Sequence, residues 1–261
     1  MKRLLLTMAL LLLFVYGGLC LAMFLKQRSL IYQPTPAGSD MGAGTTLPVP
    51  SAALQVPGAM LRLAVRPIPG TARAVLYFGG NAEDVSASLP DLVDTYPTFS
   101  IYAMHYRGYG GSTGQPSEAS LQADALALFD RVHQQHPQVI VVGRSLGSGI
   151  AVRLATQRPV DQLVLVTPYD SLQRVAQRQY PWLPVAWLLQ DKYESWRYAP
   201  LVTAPTRIVV AGQDSLIPPA HSHALFGYFK PGVATLKVIE QAGHNDVSSF
   251  PEYRALMIHG K

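Results

Sequence analysis

The fold of this chain is decided by the run Val139-Ile140-Val141-Val142-Gly143-Arg144-Ser145-Leu146-Gly147. A β-branched apolar run enters a turn of small residues, and the chain then continues as the helix-forming stretch 148–152. A strand, a tight turn with a serine at its apex and a helix together form the pattern of a nucleophile elbow. Glycines beside the serine are expected to let the backbone turn sharply enough to lift the Ser145 hydroxyl out of a sheet.

A second Gly-x-Ser-x-Gly match, Gly110-Gly111-Ser112-Thr113-Gly114, serves as an internal comparison. It follows Arg107-Gly108-Tyr109 and runs into Gln115-Pro116-Ser117, so no strand enters it directly and no helix leaves it directly. Glycine-rich segments in this context are typical of loops. The sequence therefore predicts a loop around Ser112 and an activated serine only at position 145.

Composition excludes several classes of protein. The 261 residues carry a net charge of +5, but four basic residues, Lys2, Arg3, Lys26 and Arg28, flank the apolar N-terminal run. The remainder is nearly balanced and has no basic stripe, which argues against nucleic-acid binding. The single cysteine excludes a disulfide within the chain and leaves the redox compartment unconstrained.

The N-terminal run Leu4–Leu25 is almost entirely apolar and uncharged. As a helix it would be about 33 Å long, enough to cross a bilayer core. The alternative is a cleaved signal peptide, but the run is long for one, and Cys20-Leu21-Ala22 is only a poor cleavage pattern. We expect an uncleaved single-pass anchor. Because basic residues balance across it, the N-terminal amine decides the topology and places the following domain outside the cytoplasm.

Apolar runs and helical segments alternate after the Pro- and Gly-rich stretch Gln33–Pro57, which we interpret as a connector with room for an edge strand. A helix is expected at about Ser117–Gln134. Continuous β-branched runs indicate strands buried on both faces, hence an α/β fold with a mostly parallel sheet covered by helices. The predicted strands are Met60–Val65, Ala74–Phe78, Ser100–Met104, Val139–Val142, Leu163–Val166, Arg207–Val210 and Leu236–Ile239.

The stretch Ser171–Pro200 breaks this rhythm because prolines interrupt a group of aromatic and leucine residues. Two interpretations carry equal weight. The stretch forms either two ordinary helices packed on the sheet or a small cap whose aromatic side chains line an acyl pocket or touch lipid.

A serine hydroxyl is a weak nucleophile, so Ser145 needs a base and a carboxylate that orients the base. His244 directly follows the last predicted strand in a Gly-containing loop, which makes it the candidate base. Asp214 follows the preceding strand and is the favoured acid, while Asp170 after an earlier strand is the reserve. Asp246 is expected to shape the His244 loop.

The other six histidines are less suitable as the base. His105 precedes the nucleophile in the chain, and His133 and His136 are expected to be solvated at a helix end. The remaining three lie in a predicted helix or near the C-terminus: His221, His223 and His259.

An acyl-transfer intermediate carries an oxyanion that needs two N–H donors. The residue after the nucleophile, Leu146, should supply one at the start of the elbow helix, where the helix dipole also helps. The loop after the first core strand, Phe78-Gly79-Gly80-Asn81-Ala82, should supply the other, and we expect it to be the Asn81 N–H. A plain glycine turn is the alternative for this loop.

Six short segments resemble a family, and they occur in family order from about Ser29 to the C-terminus. They are Phe78–Ala82, Tyr106–Gly110, Gly114–Glu118, Gly143–Gly147, Asp214–Pro219 and Gly243–Asp246. The chain resembles membrane-anchored α/β-hydrolases of the serine aminopeptidase-like group, the branch with protein depalmitoylases and uncharacterised bacterial relatives. That resemblance implies the α/β-hydrolase fold, the serine–acid–histidine order and an N-terminal anchor. The family usually has His-Gly-Asn-Ala in this turn, and this chain has Gly79-Gly80-Asn81-Ala82. Gly79 thus stands where the family has its histidine, and any support from that side chain is lost.

We therefore expect an anchor at 1–28, a connector at 29–57 and an α/β-hydrolase domain at 58–261. The predicted activity is hydrolysis of an ester, thioester or amide of a small or lipid-like acyl substrate, without metal or organic cofactor. An esterase or thioesterase fits best; a serine aminopeptidase and a non-catalytic membrane-tethered scaffold are the alternatives. An aminopeptidase needs acidic residues to hold the substrate ammonium, and the cap stretch offers only Asp191 and Glu194.

Overall fold

A computed structural model describes residues 1–36 and 51–258. Over these residues the chain forms one eight-stranded sheet. The strands are β1 Ser51–Val56, β2 Ala59–Arg66, β3 Arg73–Phe78, β4 Ser100–Met104, β5 Gln138–Arg144, β6 Gln162–Val166, β7 Thr206–Ala211 and β8 Ala234–Ile239. The order across the sheet is β1-β2-β4-β3-β5-β6-β7-β8.

The six strands β3 to β8 all run in the same direction, and β2 is antiparallel to both of its neighbours, β1 and β4. The predicted mostly parallel sheet is thereby confirmed. The carboxyl ends of β5, β7 and β8 share one edge of the sheet, since parallel strands all end on the same side. Ligands of open parallel sheets bind beyond this edge.

Helices cover both faces of the sheet. In chain order, with α1 set apart from the sheet, the helices are α1 Lys2–Ile31, α2 Val85–Thr95, α3 Glu118–His133, α4 Leu146–Leu154, α5 Leu172–Gln179, α6 Val185–Leu188, α7 Ser195–Tyr198, α8 Pro219–Tyr228 and α9 Pro251–Ile258. The expected helix at Ser117–Gln134 is present as α3, and the Ser117 hydroxyl caps it by accepting from the Ser120 N–H at 3.1 Å. This cap ends the preceding loop at the residue that the sequence indicated.

Alternate residues of each central strand point into two separate apolar layers. On β5, Val139 and Val141 pack with α3, α4 and α8, whereas Ile140 and Val142 pack with α2 and α9. Burial on both faces explains why these strands are uninterrupted apolar runs. The edge strand β8 alternates buried and exposed residues instead, because only one of its faces packs fully against the fold.

The N-terminal helix α1 is the one helix of the described residues that is long and apolar enough to cross a membrane. It continues past the predicted run Leu4–Leu25 to Ile31, and its first part is exposed on all sides. Its last turns contact Leu188 at the end of α6 and Gln190 just after it. The edge strand allowed for in the connector is β1, and residues 37–50 lie outside the described part of the chain.

Candidate active site

Ser145 lies at a sharp turn between β5 and α4, with φ of 50° and ψ of −116°. A non-glycine residue with positive φ is strained and typical of functional sites. Four hydrogen bonds around the turn hold it: Ser145 N–H donates to Val166 O, Gly147 N–H to Gly79 O, and both the N–H and the hydroxyl of Ser148 to Ser145 O. The strand–serine–helix arrangement expected from the sequence is present.

The flanking glycines serve a purpose other than the one we expected. Neither Gly143 nor Gly147 has a positive φ; the serine itself takes the left-handed conformation. A Cβ at position 147 would lie 2.0 Å from the Phe78 carbonyl oxygen, and one at position 143 would lie 2.5 Å from Gly147 O. Gly147 therefore allows the elbow to pack closely against the end of β3, and Gly143 allows α4 to pack closely against β5.

The structure brings Ser145, His244 and Asp214 into one hydrogen-bonded line. His244 Nε2 lies 3.0 Å from Ser145 Oγ, and His244 Nδ1 lies 2.6 Å from Asp214 Oδ2. The other Asp214 oxygen accepts the N–H groups of Leu216 at 2.9 Å and Ile217 at 2.8 Å. Those two bonds fix the carboxylate plane, so Oδ2 is left to orient the imidazole.

The reserve acid, Asp170, lies in a different cluster. Its Oδ1 is 2.8 Å from His221 Nδ1, and its Oδ2 accepts from Arg174 at 2.6 Å. Burial alone would raise the pKa of Asp170, but the bonds from His221 and Arg174 outweigh it and lower the pKa below its usual value. Asp170 is thus a buried, ionised partner of His221 and does not contact His244.

The remaining histidines have other partners or none. His105 Nε2 lies 3.0 Å from Ser86 Oγ, and burial lowers the pKa of His105. The expectation that His136 is solvated is wrong: it is buried, and its two ring nitrogens contact Tyr102 Oη and Thr71 O. The loop between α3 and β5 places this histidine against Tyr102 of β4 and the Thr71 carbonyl, contacts that the sequence pattern alone does not reveal. His259 lies outside the described residues.

Leu146 and Asn81, the residues whose N–H groups are expected to hold an oxyanion, line the same pocket as Ser145 and His244. Among the described residues, neither Leu146 N–H nor Asn81 N–H donates to a protein acceptor. The neighbouring Gly80 N–H is already bonded to Glu83 at 2.7 Å. The Asn81 loop is also fixed from behind, since Asn81 O accepts from Tyr109 Oη at 2.6 Å.

Glu83 is a residue whose part in the site the sequence did not reveal. Its carboxylate accepts hydrogen bonds from Gly80 N–H, Tyr77 Oη and Ser88 Oγ at 2.6 to 2.7 Å. It also pairs with Arg144 at 3.3 Å, and Arg144 donates to the His244 carbonyl oxygen at 3.3 Å. This pair joins the loops of the nucleophile, the histidine and the oxyanion donors.

The glycine that replaces the family histidine is explained by Glu83. A Cβ at Gly79 would lie 2.8 Å from a Val85 methyl carbon and 3.0 Å from the Glu83 carboxyl. Glu83 thus occupies the space beside the loop and binds its backbone. The one signal for this ion pair in the sequence was a pair of opposite charges: Glu83 just after the Asn81 turn, and Arg144 within the otherwise uncharged elbow.

A pocket of about 380 Å³ lies above Ser145. It is lined mainly by apolar side chains of α5, α6 and the following loop, together with the loop at Ser215–Ile217 and the last turns of α1. Among the described residues, the lining includes no aspartate or glutamate. No group of three or more His, Cys, Asp or Glu in the described part of the chain could hold a metal ion.

Comparison with known proteins places this geometry in context. The family model described as Serine aminopeptidase, S33 matches residues 95–200. An uncharacterized protein of Mycobacterium tuberculosis is 35% identical over 241 residues, which cover 89% of this chain and 85% of the relative. The alpha/beta hydrolase domain-containing protein 17B of Xenopus laevis is 31% identical over 195 residues, covering 72% of this chain and 66% of the relative.

Solved structures share the fold at low identity. An esterase of Pyrococcus furiosus superposes with a TM-score of 0.65 at 15% identity, covering 87% of this chain and 96% of the esterase. An enol-lactonase of Burkholderia xenovorans superposes with a TM-score of 0.63 at 14% identity, covering 79% of this chain and 98% of the lactonase. At such identities the match concerns the fold alone.

Proposed function

Because the chain belongs to the serine aminopeptidase-like group of α/β-hydrolases, we propose that it is a serine hydrolase that cleaves an acyl ester or thioester. The observation that carries this proposal is the hydrogen-bonded line of Ser145, His244 and Asp214, at 3.0 and 2.6 Å. Ser145 and Asp214 are buried, His244 is half-buried, and Ser145 borders an apolar pocket of substrate size.

In the proposed reaction, His244 Nε2 takes the proton of Ser145 as Oγ attacks the acyl carbonyl carbon. Asp214 stabilises the imidazolium that forms. The carbonyl oxygen becomes an oxyanion that accepts the Leu146 and Asn81 N–H groups, at the positive end of α4. His244 then donates its proton to the leaving alcohol or thiol, and the acyl group stays on Ser145. Water attacks this acyl-enzyme by the same steps in reverse and releases the acid.

The pocket favours an acyl group over an aminoacyl group. An aminopeptidase must neutralise a substrate ammonium, yet the described lining has no carboxylate. Both acidic residues that the cap stretch offers are paired elsewhere: Asp191 contacts Arg28 at 2.9 Å, and Glu194 contacts Arg197 at 3.2 Å. A substrate with an uncharged acyl chain fits this surface without leaving a buried charge unpaired.

We further propose that α1 anchors the enzyme in a membrane with its catalytic domain outside the cytoplasm. The first two thirds of α1 present apolar side chains to the surroundings on every side, as a lipid-facing helix does. Residues 1–28 would form the anchor, 29–57 the connector and 58–261 the hydrolase domain.

The proposal is tested by fluorophosphonate labelling of the full-length protein in detergent. We expect labelling of the wild type and its loss in Ser145→Ala, with the thermal unfolding midpoint retained. Ser112→Ala, in the second Gly-x-Ser-x-Gly segment, is the matched control and should still label, because that serine bonds only backbone groups. A folded wild type that does not label would leave a non-catalytic scaffold as the better description.

Turnover then distinguishes the substrate classes. We expect hydrolysis of p-nitrophenyl esters of graded chain length and little hydrolysis of aminoacyl anilides. Faster cleavage of the anilides than of the esters would overturn the acyl assignment in favour of a peptidase.

A further inference from the structure

The last turns of α1 form one wall of the catalytic pocket. Met23, Gln27, Leu30 and Ile31 all line it, opposite the side chains of α5 and α6. The side chains of α1 that lose exposure recur at helical spacing, so they lie on one face of the helix. The same helix that is apolar enough to cross a bilayer therefore completes the site around Ser145.

Polar contacts hold this wall in place. The Gln27 side chain is buried, donates to Leu188 O at 3.1 Å and accepts the Gln190 N–H at 2.7 Å. One turn further on, Tyr32 Oη contacts Asp191 at 3.1 Å. These bonds join the end of α1 and the residue after it to the segment 188–191, so the anchor helix is packed against the hydrolase domain at this end.

The depth of the contact places the pocket beside the bilayer. Tyr16 Oη donates to Trp182 O at 2.8 Å, in the middle of the apolar run of α1. If Trp182 lay wholly above the hydrocarbon, only Leu4–Val15 would remain to span it, and that helix is about 18 Å long against a core of roughly 30 Å. The helix can therefore cross the whole hydrocarbon core only if residues beyond Val15 also lie in it, which brings the protein surface around Trp182 into the membrane.

The exposed residues on this surface suit such a position. Trp187 is 88% exposed and Trp182 is 50% exposed, and Leu216, which lines the pocket, is also exposed. Tryptophan favours the boundary between lipid headgroups and hydrocarbon, because its ring is amphipathic and this boundary offers both polar and apolar surroundings. The partner that fits this apolar surface, continuous with α1, is the lipid bilayer itself.

We propose that the substrate is a bilayer-resident acyl ester or thioester whose acyl chain enters the pocket sideways from the membrane, along α1. This inference rests on the proposed hydrolase function. The chain passes from lipid to the apolar wall at Met23 without crossing water, so its transfer carries little hydrophobic cost. Its carbonyl reaches Ser145 near the level of the headgroups, and the leaving group stays on the aqueous side.

The test narrows the entrance on α1. Met23→Trp places a bulky indole ring on the pocket wall. Leu25→Trp places the same ring on the lipid-exposed side of α1, at nearly the same depth in the membrane. The full-length variants are reconstituted in phosphatidylcholine vesicles. Hydrolysis of p-nitrophenyl palmitate embedded in the vesicles is compared with that of water-soluble p-nitrophenyl acetate.

We expect the palmitate-to-acetate ratio of kcat/KM to fall about tenfold or more in Met23→Trp, as expected when an apolar pocket loses room. The ratio should stay at the wild-type value in Leu25→Trp. An unchanged ratio in Met23→Trp, or an equal fall in both variants, would overturn entry along α1. Acetate turnover and fluorophosphonate labelling of the wild type report on the hydrolase proposal separately, so the two failures are distinguishable.

Two further substrates identify the source of the chain. A palmitoyl glycerol and an S-palmitoylated peptide present the same acyl chemistry in the same vesicles, on a lipid and on a polypeptide. The substrate whose hydrolysis is more sensitive to Met23→Trp is the one that uses this entrance. Cleavage of neither, with acetate turnover intact, would contradict a bilayer-resident acyl substrate.

Discussion

Replacing Asp214 by asparagine tests the acid of the proposed triad. In the native protein Asp214 Oδ1 accepts two backbone N–H groups, and Oδ2 accepts from His244 Nδ1. An asparagine keeps its oxygen on the two N–H donors, which turns its NH₂ group toward His244. The imidazole must then accept at Nδ1 and carry its proton on Nε2, where it can no longer take the proton of Ser145.

A wrong tautomer in this arrangement lowers kcat by about 10⁴-fold, equivalent to about 5.4 kcal/mol of transition-state stabilisation. We expect a loss of this size for Asp214→Asn, measured as kcat on p-nitrophenyl butyrate with the full-length enzyme in detergent. The two backbone bonds to the side-chain oxygen are retained, so the thermal unfolding midpoint should change little.

The matched control is Asp170→Asn, because the structure contains a second buried aspartate–histidine pair of similar geometry. Asp170 contacts His221 at 2.8 Å and Arg174 at 2.6 Å, outside the pocket. We expect kcat to stay near the wild-type value. Loss of a charged hydrogen bond costs about 2 kcal/mol, so the midpoint should fall by about 5 °C.

The comparison decides between the two acids that the chain order allowed. If Asp214→Asn keeps more than a tenth of the activity, or if Asp170→Asn is the variant that loses it, then the assignment of Asp214 is refuted. Loss of activity together with loss of the folded state in Asp214→Asn would be resolved by fluorophosphonate labelling at a temperature where that variant is folded.

Three other outcomes are expected. Gly147→Ala should strongly destabilise or unfold the protein, because the added Cβ would collide with the Phe78 carbonyl oxygen at the end of β3. Gly227→Ala in α8 is the control, since the space around Gly227 is open. Its free energy of unfolding, measured by chemical denaturation, should rise by up to about 1 kcal/mol. Glu83→Ala should lower kcat by about 10- to 100-fold with KM nearly unchanged, because it releases the Gly80 N–H and lets the oxyanion loop shift; restored activity in Glu83→Gln would support a positioning role, and a changed KM alone would contradict it. The pKa of Asp170 is lower in the folded than in the unfolded protein, so its carboxylate stabilises the fold above the unfolded pKa, and this stability is lost as pH falls through the folded pKa. The thermal unfolding midpoint should therefore fall less steeply with decreasing pH in Asp170→Asn than in the wild type. An unchanged pH dependence would refute this linkage.

Much of the fold followed from local pattern. The run before Ser145 could only be a strand buried on both faces, because it lacks the alternation of a half-exposed strand. The chain order of Ser145, Asp214 and His244 was likewise visible, since each follows a predicted strand. Their proximity followed from the rule that parallel strands end at one edge, and the structure brings them within hydrogen-bond distance.

Other features depended on long-range packing. Asp214 and Asp170 both follow predicted strands, and chain order favoured Asp214 without excluding Asp170. The fold shows that Asp214 contacts His244 and that Asp170 contacts His221. The role of Glu83 could not be recognised because its ion-pair partner, Arg144, is 61 residues away in sequence. His136 looked solvated at a helix end, but its environment is set by a neighbouring strand.

The sequence by itself determined the strands, the elbow, the order of the candidate catalytic residues and the apolar N-terminal helix, because periodicity and turn chemistry are properties of neighbouring residues. Only the tertiary structure decided how the elbow packs, which acid meets the histidine, and that the membrane-length helix forms a wall of the pocket. The wall depends on Gln27 meeting backbone atoms more than 160 residues away. No local pattern encodes such a contact, since it forms only when the segment after α6 is folded over the sheet.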